Sequence, residues 1–224
     1  MLLRRKTRRQ GAAFRYAVYA LLLILLASMP ILIFSLQNGM IGENIAGYIF
    51  DAQLSFLFSL SVLAFLAHKG KSAGEIVAEL GLSKDKLSIK LLGIGVLLFA
   101  IFFLLDLMVG LIGNITNIQI NTNVYTIFGS APLWVYVFIS LIGPINEEIL
   151  FRAFLVPRIG IIVSALIFGI LHAGYGSTFG VDTIAAFSFA LVAGYVFKKT
   201  KSLYPSILGH MLVNLLAVVA IAAI

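Results

Sequence analysis

The stretch YAVYALLLILLASMPILIFSL, Tyr16–Leu36, contains no charged residue and is long enough to cross the hydrocarbon core of a bilayer as a helix. It follows the basic start MLLRRKTRRQ. A basic start and an apolar run also describe a secretory signal. This run is too long for one, and Ala27-Ser28-Met29 leads into Pro30 and more apolar residues, so an uncleaved first span is expected. Six further apolar blocks follow, at about Asn44–Ala67, Ile89–Gly113, Pro132–Val156, Ile159–Ala173, Thr183–Phe197 and Leu203–Ile224. The expectation is an all-α, polytopic transmembrane helix bundle of about seven spans, within six to eight. It forms one membrane domain over residues 1–224.

Composition agrees with that reading. The chain is 61% hydrophobic and only 11% charged, with a mean hydropathy of +1.08. A soluble domain is about one-quarter charged. These figures exclude a disordered chain, a solvated nucleic-acid module and an ordinary cytosolic domain, so nucleic acid is not an expected partner. Cysteine is absent, which excludes disulfides, thiolate metal sites and a cysteine nucleophile.

Net charge is +7, and in a membrane protein the informative question is where the positives lie. With an inner N-terminus and alternating spans, the inner side holds the tail, the 68–88 loop, the turn near Arg158 and the Lys198-Lys199-Thr200-Lys201 turn. The outer segments 37–43, 114–131 and 174–182 carry no Lys or Arg. The positive-inside rule therefore predicts a multi-pass cell-membrane protein with a cytoplasmic N-terminus. Within the 68–88 loop, Ile76, Val77 and Leu80 share helical spacing, Glu75 and Glu79 face away, and Gly81 is a stop. A short amphipathic helix is expected there.

An ionisable group inside a bilayer costs at least about 2.5 kcal/mol, so each one needs a reason. Asp51 and Asp106 lie in the first half; Glu147, Glu148, Arg152, His172 and His210 lie in the second. Glu148 and Arg152 are i and i+4 and can pair along one helix face. Glu147 is turned from Glu148 by about 100°. One carboxylate can then be held by Arg152 while the other points elsewhere. Phe168 and His172 share a face, as do His210 and Asn214. Each pair taken singly reads as an interfacial histidine or as interhelical hydrogen bonding. Along straight helices, Glu147, His172 and His210 lie roughly 15, 20 and 10 Å from the inner ends of their spans. A shared polar cavity would satisfy them all, whereas lipid would satisfy none.

These residues form the ordered set E-E-x-x-x-R, F-x-x-x-H and H-x-x-x-N on successive spans: Glu147-Glu148…Arg152, Phe168…His172 and His210…Asn214. The set resembles the CPBP intramembrane proteases, which include the CAAX prenyl endoproteases of the Rce type and the bacterial Abi, bacteriocin-processing group. The resemblance covers about residues 132–218. Ala153 stands where many relatives have Gly, a difference that touches packing.

The resemblance implies an intramembrane endopeptidase that hydrolyses a peptide bond with glutamate-activated water, with CAAX-type C-terminal processing as one form. It makes Glu147 the base, His172 a partner for the water, and His210 with Asn214 the oxyanion donors; Glu148 and Arg152 orient, beside Phe168. The implied partners are membrane lipids and a membrane-associated or prenylated substrate. The family is often called metalloprotease, and Glu147, His172 and His210 suffice in number for a catalytic zinc. There is no H-E-x-x-H, and Glu148 is the better partner for Arg152, so metal-free chemistry needs fewer assumptions and zinc stays open. Two other readings stand beside this one: a non-proteolytic immunity or scaffold protein of the same family, and a proton-coupled transporter using Glu147, Asp51 and Asp106. Asn114-Ile115-Thr116 matches a glycosylation sequon by chance as readily as by design, and the glycines at 174–180 lack the Lys-Ser/Thr of a phosphate loop.

Overall fold

Apolar blocks in which every backbone N–H must find an internal partner become helices, and each of the seven blocks is one in the computed structural model, which describes residues 2–116, 129–173 and 181–222. In order these are α1 (Leu2–Gln37), α2 (Glu43–His68), the short α3 (Ala73–Glu79), α4 (Ile89–Thr116), α5 (Leu133–Ile159), α6 (Ile161–His172), α7 (Val181–Thr200) and α8 (Tyr204–Ala222). No strand occurs among the described residues. The protein is an all-α bundle of apolar helices.

By length and apolar content, four helices qualify to cross a membrane: α1 from Ala12, α2, α5 and α8. A fifth is added if α4 and the segment Ala73–Lys86 count as one broken span. The block expected at Ile159–Ala173 is a helix of 12 residues, about 18 Å long and short of the roughly 30 Å core. The Asp106 side chain, the sequon at 114–116, most of the 114–131 segment and the glycine-rich 174–180 segment lie outside the described residues.

The described chain divides into two compact units, Met1–Ser83 and Lys84–Ile224. In the first, α1 packs on α2. Gln53 Nε2 donates to Ser28 Oγ at 2.8 Å, and that hydroxyl donates to Leu25 O at 2.6 Å. Such polar contacts between otherwise apolar helices fasten their register. On α1, Leu21, Leu23, Ile24, Ile31 and Phe34 are all exposed, as apolar side chains that face lipid are. The 68–88 loop does form its helix. Ser72 caps α3 in a capping box with Glu75, Ile76 and Leu80 are buried, and Val77 is exposed. The Ser72 backbone N–H and hydroxyl both donate to the Glu75 carboxylate at 2.7 Å and hold its pKa below the ordinary range.

In the second unit α8 packs against α4, against the first half of α5 and against α7, while α7 also packs on α6. The α4–α8 contact is backbone-close. A Cβ on Gly95 would stand 2.8 Å from Pro205 O, and one on Gly209 would stand 3.0 Å from Leu98 Cβ. Glycine lets the two helices approach as small residues do in membrane bundles.

Helix α5 carries the feature that matters most for the site. Its α-helical segments are interrupted by two π-helical ones, Phe138–Ile142 and Ile149–Leu155. Each comes just before a proline, Pro144 and Pro157. Proline lacks the N–H that would continue the ladder, and its ring crowds the carbonyl four residues back. Widening the preceding turn relieves both problems at a cost in hydrogen-bond register. The segment Gly143–Glu148, with both glutamates, is suspended between these two wide turns.

Candidate active site

The i, i+4 pair forms. Arg152 Nε lies 3.0 Å from Glu148 Oε2, and neither side chain has any exposed surface. The contact is an ion pair outside hydrogen-bond angles, and neither Nη group has an acceptor among the described residues. Two aromatic faces take that place. The guanidinium carbon lies 4.3 Å from the Phe168 ring centroid and 5.3 Å from that of Phe189. A desolvated cation over a ring gains about 2 kcal/mol, which offsets part of the cost of burying the charge.

The second oxygen of Glu148 reaches across to α8. His210 Nδ1 lies 3.0 Å from Glu148 Oε1. A carboxylate only accepts, so Nδ1–H donates and Nε2 faces the other way. That Nε2 stands 3.8 Å from Glu147 Oε2. The separation is too long for a direct hydrogen bond but allows one water about 2.8 Å from each atom. Glu147 is the more open carboxylate, with 23% of its side chain accessible against none for Glu148. The two adjacent glutamates thus occupy different environments: Glu148 is held by Arg152 and His210, and Glu147 faces the other edge of the same imidazole.

His172 joins this group through Phe168. Its Nδ1 donates to Phe168 O at 2.9 Å, since a carbonyl only accepts, which leaves Nε2 as the acceptor of the neutral ring. The Phe168 ring centroid lies 4.3 Å from that of His172 and 5.9 Å from that of His210. Both histidine rings thus lie against the ring of Phe168.

Asn214 is placed differently from the rest. Its Nδ2 donates to Ile139 O at 2.8 Å, within the first π segment of α5.

Two partners lie outside the motifs. Phe189 on α7 lies 5.0 Å from the His210 ring and 5.0 Å from that of Phe102 on α4; nothing in its local sequence distinguishes it from a lipid-facing phenylalanine. Ser206, fully buried, is a further side-chain partner of Glu148. Its signal was legible, because Ser206, His210 and Asn214 recur every four residues along one face of α8.

Zinc requires three ligands converging on one point. The Nδ1 engagements of His172 and His210 are of the kind that orient metal-ligating histidines. Among the described residues, however, no group of three or more His, Asp or Glu is arranged to hold a metal ion. The residues do not fit a zinc site in this arrangement.

A buried carboxylate–guanidinium–imidazole network thus sits among apolar helices, four of them long and apolar enough to cross a membrane. Residues 129–216, the segment that holds this network, match the family described as Type II CAAX prenyl endopeptidase Rce1-like. No curated protein and no solved structure matches the chain.

Proposed function

We propose that the protein is an intramembrane endopeptidase that cleaves a membrane-associated peptide, of the CAAX C-terminal type, by glutamate-activated water. The observation that carries this reading is the contrast between the two glutamates: Glu148 is locked by Arg152 and His210, while Glu147 Oε2 lies 3.8 Å from the far nitrogen of the same histidine. A base must be within hydrogen-bond reach of the proton it removes, and a water between Glu147 and His210 meets that condition.

In the proposed reaction Glu147 takes a proton from water as its oxygen attacks the scissile carbonyl carbon. The carbonyl π electrons move to oxygen, and the tetrahedral oxyanion is stabilised from the Nε2 side of His210, whose Nδ1 stays engaged with Glu148. Collapse breaks the C–N bond, and the leaving nitrogen takes the proton held by Glu147. His172, with Nε2 as acceptor, orients the water. Arg152 acts through Glu148 and touches no reacting atom. The distribution of Lys and Arg supports a cytoplasmic N-terminus in the cell membrane.

The test is hydrolysis of a panel of prenylated and unprenylated peptides by the purified full-length chain, with Glu147→Ala as control. Cleavage of a prenylated C-terminal peptide that vanishes in the variant is the expected result. Equal cleavage by the variant removes Glu147 from the mechanism, and no cleavage of any peptide by the folded wild type favours the non-proteolytic reading.

A further inference from the structure

The wide turn before Pro144 leaves one carbonyl of α5 without a donor from its own helix. In a regular α-helix Ile139 O would accept from the N–H of Gly143. That N–H is directed to Phe138 O instead, closing the wider π turn. In the π register the donor for Ile139 O would be residue 144, which is proline and has no N–H. Both possible donors are therefore lost. Asn214, 75 residues further along and on another helix, places Nδ2 2.8 Å from this carbonyl.

We propose that Asn214 is a positioning residue whose side-chain amide replaces the N–H missing at Pro144, and so holds the π turn that sets the rotation of Glu147 and Glu148. Freed backbone groups in apolar helices persist where neighbouring side chains satisfy them, and among the described residues this amide reaches Ile139 O. His210 and Asn214, one turn apart on α8, then fasten that helix to α5 on both sides of Pro144, at Glu148 and at Ile139. The consequence for catalysis rests on the endopeptidase reading. The coupling between Asn214 and Pro144 does not.

The experiment is a double-variant cycle on the full-length protein in detergent, with Asn214→Ala, Pro144→Ala and the pair. Pro144→Ala restores an N–H that can serve Ile139 O. Thermal unfolding is the first readout. Asn214→Ala is expected to lower Tm by about 3–10 °C, the effect of orphaning a buried carbonyl, and by less than half as much in the Pro144→Ala background. Turnover of a prenylated peptide is the second. Asn214→Ala should lower kcat by about 10²-fold, as a misplaced base does, leave KM near the wild-type value, and regain much of that kcat in the pair. Equal falls in Tm and kcat in both backgrounds overturn the proposal and leave Asn214 as a direct oxyanion donor. If Asn214→Ala alone does not fold, a folded pair carries the same support and an unfolded pair overturns it. If the wild type cleaves no peptide, the Tm cycle still decides the coupling, and only the endopeptidase reading fails.

Discussion

His210 Nδ1 lies 3.0 Å from Glu148 Oε1, a contact between residues 62 apart in sequence. It divides the labour between two adjacent carboxylates, because it completes the coordination of Glu148 and turns the other edge of the imidazole toward Glu147. Three expectations follow from this arrangement and from the helices around it, and a fourth from the cap of α3.

Breaking the buried ion pair should be costly. Glu148→Gln leaves the Arg152 guanidinium buried without its counter-charge, and losses of about 3–5 kcal/mol are typical for such a change. Replacing both partners, as Glu148→Gln with Arg152→Met, should recover much of that loss. Denaturant unfolding in detergent measures both. A double variant no more stable than Glu148→Gln would show that the two charges are not coupled.

Glu147→Gln is expected to abolish peptide hydrolysis yet change stability by less than about 1 kcal/mol, since Glu147 lies outside the Arg152 pair and is partly accessible. His210→Ala should lose both activity and stability, because it also strips Glu148 of a buried partner. Turnover and thermal unfolding of the same preparations separate the two effects. Wild-type turnover by Glu147→Gln would end the assignment of this carboxylate as the base.

Two glycines on α4 offer an internal control for the α4–α8 contact. Gly95→Ala places a methyl group 2.8 Å from Pro205 O, whereas a Cβ at Gly93 meets nothing within 4 Å. Gly95→Ala should destabilise by about 1–3 kcal/mol, as overpacking does. Gly93→Ala should be neutral or slightly stabilising through helix propensity. Equal unfolding midpoints for the two variants would contradict the close approach of α4 and α8.

The α3 cap should depend on pH. Glu75 has its pKa held below the ordinary 4.5 by the Ser72 donors, so its contribution is present above the unfolded carboxylate pKa and is lost as pH falls through the lower folded value. Amide-exchange protection of α3, corrected for intrinsic rate, should fall on acidification through that window, and Glu75→Gln should remove the dependence. Unchanged pH sensitivity in Glu75→Gln would assign it to another group.

The positions of the helices were legible because the apolar blocks are local and the bilayer sets their length. The Glu148–Arg152 pair was legible for the same reason, since i and i+4 meet on any helix. So was the ordered set of motifs, which pointed to the family that residues 129–216 match. The number of blocks was a weaker guide to spans, because hydropathy does not disclose a 12-residue helix until its ends are seen. Tertiary structure alone decided which carboxylate His210 holds and what the Asn214 amide bonds. Both contacts join α8 to α5 across 62 and 75 residues of sequence, and the rotation of α5 is set by two π turns at prolines, to which a regular 3.6-residue period is blind.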